Sequence, residues 1–224
     1  MRPKMGAQSQ QEMEKERAMA SVTQESPTTL NTRKIVVAGV LGAIAIVLGV
    51  TQWGFIPMPN LSGNATILHV PAIIGAVLEG PIVGGLAGLI FGVFSMIQGG
   101  ALFANPLVSI LPRIFIGPVA WLTYRALRPV NIDLAAAAAG VTGTLTNTIL
   151  VVIAIILFAL PELRTAAGDP NLSAGVFAAS VVPQAIGEVI LAAILTPLVA
   201  RGVNLVRSGR TSATDTTPRD KSSF

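Results

Sequence analysis

The chain has 224 residues, 52% hydrophobic and 12% charged, with a formal net charge of +4. That charged share is about half of what soluble domains carry, too little to cover a water-facing surface, so a soluble globular domain is excluded. Cysteine is absent, which removes disulfide frameworks, thiolate nucleophiles and cysteine metal sites from consideration.

Residues 1–32 are rich in Gln, Glu, Ser and Thr, with Glu12, Glu14 and Glu16 interleaved with Lys15 and Arg17. No short apolar core follows a basic start, so this is not a signal peptide. The composition predicts a disordered cytoplasmic tail, and residues 204–224 are read the same way. Between them, residues 33–203 form one membrane domain, too small for a two-repeat transporter and large enough for a compact helical bundle with a central cavity. From Ile35 to Ala200 the chain holds only nine charged side chains: Glu79, Arg113, Arg125, Arg128, Asp133, Glu162, Arg164, Asp169 and Glu188.

About 20 residues of helix cross the hydrocarbon core. Six spans are predicted in chain order: Ile35–Trp53, Ala65–Leu78, Pro81–Gln98, Pro106–Leu127, Leu134–Leu160 and Gly175–Ala200. The second is short and contains Pro71. Pro57, Pro59 and Gly63 punctuate the first connection, and Glu79-Gly80-Pro81 forces a tight turn. The expected fold is therefore an all-α membrane protein, a compact bundle of six transmembrane helices. With both termini cytoplasmic, Arg33, Lys34, Arg125, Arg128, Arg201, Arg207 and Arg210 fall inside, and the outer connectors hold only Arg164, as the positive-inside rule requires. Topology then accounts for the basic charge, and a nucleic-acid partner is not expected.

Helices in lipid associate through small residues. Ala38, Gly42, Ala45 and Gly49 make one such stripe on the first span, and Gly84, Gly88 and Gly92 another on the third. Packing within the chain explains both; the first stripe also suits docking to another membrane protein. Polar residues inside spans need a specific reason, because each charge there costs at least about 2.5–3.5 kcal/mol. Asn105, Ser109 and Arg113 recur at four-residue steps on the fourth span, and Ser180, Gln184 and Glu188 on the sixth. The fifth carries Thr144, Thr146, Asn147 and Thr148, and the second has His69, the single histidine, near its outer end. All lie in the outer half or at the midplane, which is what a cavity open to the exterior produces. An Arg113–Glu188 salt bridge is the structural alternative, but the stripes hold more polarity than one ion pair needs, and a binding site combines apolar walls with a few polar anchors.

No lysine lies between Lys34 and Lys221, so the membrane domain has no Walker A loop and no Schiff-base lysine. Neither Ser95 nor Ser109, the serines that could pair with His69 as a base, sits in a Gly-x-Ser-x-Gly elbow. An enzyme is not expected, nor is a cofactor or metal, since a lone histidine cannot build a zinc site.

The runs ATILHVPAIIGAVLEGPIVGGLAGLIFGVFSMIQ, NPLVSILPRIFIGPVAWLTYRAL, GTLTNTILV and PQAIGEVILAAILTPLV resemble the substrate-binding S components of energy-coupling-factor vitamin transporters, from Arg33 to about Ala200. The resemblance implies a subunit that captures a small-molecule vitamin and associates with a transmembrane coupling subunit and two ATP-hydrolysing subunits in the cell membrane. It also implies a lid in the loop bearing Trp53, Phe55 and Asn64. Asn105, Ser109, Arg113, Asn147, Gln184, Glu188 and His69 are the expected ligand contacts, and Ala38, Gly42 and Ala45 the docking surface. GPIVGGLAGLIFG and NPLVSILPRI are most similar to the pantothenate-type members. Arg113 would suit that vitamin's carboxylate, with Gln184, Asn147 and Ser109 for its amide and hydroxyls; a charged Glu188 facing the ligand would favour a cationic or pyrimidine-type compound instead. A membrane scaffold protein without a ligand is the reading from another class.

Overall fold

The computed structural model describes residues 30–57 and 64–214, with side chains to residue 206. Five helices are long and apolar enough to cross a membrane. The first, α1 (Thr32–Val50), starts at Asn31, whose side chain accepts the Lys34 N–H at 2.9 Å. Two short antiparallel strands follow, β1 (Phe55–Ile56) and β2 (Ala65–Thr66), with Phe55 opposite Thr66. Then come α2 (Val70–Glu79) and α3 (Pro81–Gln98), and two single turns, α4 (Gly100–Phe103) and α5 (Pro106–Ser109). The chain ends with α6 (Leu111–Leu127), α7 (Ile132–Phe158), the short α8 (Leu160–Ala167) and α9 (Ala174–Thr214).

The predicted second span is the main departure from the sequence reading. Its first residues form β2, and the helix proper has 10 residues, about 15 Å of rise against a hydrocarbon core of about 30 Å. Pro71 stands in its first turn, where a missing N–H is harmless, so the helix begins there rather than at Ala65. Val70 to Val77 are all buried. Hydrophobic on every side, α2 is the central post of the bundle, touching α1, α3, α6, α7 and α9. The predicted fourth span is interrupted at Ile110, with Pro112 opening α6. The last helix continues to Thr214, so the domain boundary expected at residue 203 falls inside a helix, and the start of the tail expected to be disordered is helical. The N-terminal tail expected over residues 1–32 lies almost wholly outside the described residues.

Around α2, α6 packs on α3 and α7, α9 on α7, and α1 on α3. The α3–α6 contact is close because glycines line it. A Cβ added at Gly88 would lie 2.1 Å from the Arg113 carbonyl oxygen, and one at Gly117 would lie 2.3 Å from the Gly84 carbonyl carbon. Dispersion between backbones at this distance supplies the attraction that hydrophobicity cannot give between helices in lipid. The outward faces carry residues such as Val40, Ile149 and Ile190, each more than half exposed, as lipid contact demands.

Candidate ligand-binding site

The end of the bundle formed by the last turns of α3, the first turn of α6, the second half of α7 and the first half of α9, with the β1–β2 strands beside them, holds a cavity of about 320 Å³. That volume is within the range of small-molecule sites, about 300–1,000 Å³. Phe91, Phe94, Phe103 and Phe177 supply apolar wall, and Arg113, Asn147, Gln184 and Glu188 supply the polar groups predicted from sequence.

Arg113 enters from the first turn of α6 and is 4% exposed. Its Nη1 donates to the Val108 carbonyl at 2.5 Å and its Nη2 to Ser95 Oγ at 3.4 Å. The guanidinium also lies over the rings of Phe91 and Phe103, 5.5 and 5.3 Å from their centroids. Its Nε has no hydrogen-bond partner. Glu188 comes from mid-α9 and is 3% exposed. It accepts from the Thr66 backbone N–H at 2.7 Å, from Gln184 Nε2 at 3.0 Å and from Thr148 Oγ1 at 3.5 Å. The Arg113–Glu188 ion pair considered from sequence is thus not formed. Ion pairs form elsewhere, between Arg33 and Glu79 at 2.8 Å and between Arg201 and Asp133, while Arg113 and Glu188 are held on one cavity by different neighbours. Asn147 Oδ1 is buried and unpartnered as well. Each of these two cavity-lining residues, Arg113 and Asn147, thus keeps one polar atom buried without a partner, at a cost of about 1–3 kcal/mol when unmet.

Three predicted contacts lie elsewhere. Asn105 caps α5, accepting the Leu107 N–H at 2.9 Å, because a short side chain before Pro106 is placed to close that turn. Ser109 Oγ donates to the Phe103 carbonyl and ties α4 to α5. His69 is fully buried with Nε2 2.9 Å from Thr144 Oγ1, joining the start of α2 to α7. The break at Ile110 turns Asn105 and Ser109 off the line that regular four-residue spacing would give. Of the predicted loop residues, Phe55 and Asn64 line the cavity, whereas Trp53 is 85% exposed and does not; residues 58–63 lie outside the described residues. Sequence reasoning missed Gln52, Ser95 and Gln98 as contacts, and it placed Thr148 in the polar band of the fifth span without naming it a contact; all four are on the wall. Ser95 and Gln98 end an otherwise apolar helix behind Phe91 and Phe94, and that polar terminus was the available signal.

The proposed docking stripe is also corrected. Ala38 and Ala45 are each 2% exposed, and a Cβ at Gly42 would lie 2.6 Å from Ile90 Cδ1. Ala38, Gly42 and Ala45 are the face by which α1 packs on its own chain; a small-residue stripe signals close approach without saying to what.

Three comparisons bear on this architecture. Residues 33–200 match the family model described as ECF transporter, substrate-specific component. The pantothenic acid transporter PanT of Lactococcus lactis subsp. cremoris (strain MG1363) is 29% identical over 164 residues, covering 64% of this chain and 79% of that protein. The solved structure of ThiT from Listeria monocytogenes matches with a TM-score of 0.59 at 18% identity, over 77% of this chain and 96% of its own, which is a likeness of fold. A family match across the helical bundle, the fold it shares with a solved structure and a cavity at one end of the spans together place this multi-pass membrane protein among the substrate-specific components of ECF transporters.

Proposed function

We propose that this protein captures pantothenate in the α3–α6–α7–α9 cavity from the outer side of the cell membrane and releases it inward when a transmembrane coupling subunit and two ATP-hydrolysing subunits act on it. The observation that carries the choice of ligand is the buried Arg113, which lines the cavity without a salt bridge to Glu188, in a chain 29% identical to a pantothenic acid transporter. Pantothenate has one carboxylate, one amide and two hydroxyls around a dimethyl-substituted carbon. Arg113 meets the carboxylate with a charge-assisted hydrogen bond. Asn147 Oδ1 accepts from the amide N–H or a hydroxyl, Gln98 and Asn64 are further polar partners, and the Phe91 and Phe94 rings cover the methyl groups. Glu188 is already engaged by the Thr66 N–H and Gln184, so its role is to hold β2 against α9, and its negative charge is met by those donors rather than by the ligand. Ser109, engaged with the Phe103 carbonyl, takes no part in binding.

Lys and Arg are concentrated at the end of the bundle away from the cavity, which supports cytoplasmic termini and an outward-facing site. The test is thermal unfolding of the purified protein in detergent against a panel of water-soluble vitamins. Pantothenate at 100 times its dissociation constant should stabilise by about 2.7 kcal/mol. A shift with a pyrimidine-type vitamin in its place would keep the binding role and reject the Arg113–carboxylate contact. Folded protein that responds to none of them would reject capture of a vitamin.

A further inference from the structure

At the opposite end of the bundle a second hollow of about 510 Å³ lies between the start of α1, the α2–α3 turn and the end of α6. Arg33, in the first turn of α1, lines it, and Gln52, two residues past the end of that helix, lines the ligand cavity; the helix from Arg33 to Val50 rises about 26 Å, close to the thickness of a hydrocarbon core. The two hollows therefore stand at the two membrane interfaces.

The lining of this second hollow is strongly basic. Arg33, Lys34, Arg125 and Arg128 face one carboxylate, Glu79, a formal excess of three positive charges (four cations less one anion). Glu79 is bridged by Arg33 at 2.8 Å. The Arg125 guanidinium lies 5.1 Å from the centroid of the Trp121 ring, which holds it at the interface. Val77 and Leu78 make part of the lining apolar. Beside it on the outer surface, Ile35, Val36 and Leu122 are 56%, 58% and 63% exposed. Substrate capture at the far end of the bundle uses none of these groups.

We propose that this hollow binds the phosphate headgroup of an anionic phospholipid, with the acyl chains running along the exposed apolar faces of α1 and α6. Clustered arginines suit phosphate through paired, charge-assisted hydrogen bonds, and basic pockets between transmembrane helices at an interface are where anionic headgroups settle. A zwitterionic choline headgroup brings its own cation against the excess charge. An acidic segment of a partner protein would satisfy the arginines but would leave the adjoining Ile35, Val36 and Leu122 without a role, whereas a lipid accounts for both features.

The full-length protein in neutral detergent is titrated with short-chain phosphatidylglycerol, with phosphatidylcholine of the same chain length and with glycerol 3-phosphate. Binding is read by thermal unfolding and by native mass spectrometry. Phosphatidylglycerol alone should raise the unfolding temperature and remain bound as discrete adducts. Arg125 and Arg128 are both exposed, so Arg125→Gln/Arg128→Gln should fold. With each cation near the surface worth about a factor of five, it should weaken apparent lipid affinity about 25-fold, leaving any vitamin response intact. If the double variant does not unfold cooperatively, Arg128→Gln alone should weaken binding about fivefold. Equal stabilisation by phosphatidylcholine, equal stabilisation by glycerol 3-phosphate, or an undiminished response of the variant would each overturn the proposal. So would a variant that binds lipid normally but fails to co-purify with the coupling subunit, which would assign the hollow to an acidic protein surface.

Discussion

Arg113 and Glu188 are both almost wholly buried and both on the ligand cavity, yet they differ in what they have left to offer. Arg113 spends two nitrogens on Val108 and Ser95 and keeps Nε, whereas Glu188 is engaged on both oxygens by Thr66, Gln184 and Thr148. Arg113→Ala should therefore abolish the pantothenate-induced thermal shift. Its cost to the ligand-free protein should be modest, about 1–3 kcal/mol for leaving the Val108 carbonyl unmet. Measuring unfolding with and without ligand separates the two effects, and an unchanged ligand response would remove Arg113 from the site. Glu188→Ala should act the other way round, stranding the Thr66 N–H and lowering stability by about 1–3 kcal/mol even without ligand. Glu188→Gln, which keeps an acceptor for Thr66, should recover most of that loss. If the two Glu188 variants unfold alike, the strap between β2 and α9 is not what Glu188 provides. At this scale the sequence showed which residues were out of place in lipid. It could not show their partners: His69 and Ser109 have the same polar character as Asn147, but their hydrogen bonds run to Thr144 and Phe103 within the protein.

The helices illustrate how far spacing alone carries an argument. Gly88 and Gly39 are both mid-helix glycines, yet a Cβ at Gly88 meets backbone at 2.1 Å and a Cβ at Gly39 meets nothing within 4 Å. Gly88→Ala should push α3 off α6 and destabilise by about 1–3 kcal/mol or more, the usual cost of overpacking. Gly39→Ala should be neutral or gain up to about 1 kcal/mol from helix propensity. Unfolding in detergent distinguishes them, and equal effects would mean that the α3–α6 contact is not tight. The same packing logic corrects the reading of α1: Ala38, Gly42 and Ala45 were legible as a groove but are filled by α3. Three of the five long helices were found within three residues of both ends, because an uninterrupted apolar run of that length has few alternatives; α6 starts five residues later than expected, after the break at Ile110, and the last was found at its start and overran its expected end by 14 residues.

For the whole molecule, the distribution of charge and the position of the cavity support one orientation. The natural chain has no cysteine, so single substitutions report topology directly. Val130, between α6 and α7, is 76% exposed, and Ala166, in α8, is exposed on the opposite side of the bundle. In right-side-out vesicles Ala166→Cys should react with a membrane-impermeant maleimide and Val130→Cys only after permeabilisation; the reverse pattern would invert the proposed topology. Composition and periodicity by themselves determined that the chain lives in lipid, where its long helices lie and that polarity collects toward one end, because the cost of burying charge in hydrocarbon acts on each segment independently of its neighbours. The tertiary structure decided that the second apolar run is half a span, that the small residues of α1 face inward and which polar groups share the cavity. Those outcomes depend on which helix stands next to which, and contacts between residues distant in sequence leave no periodic trace in either segment.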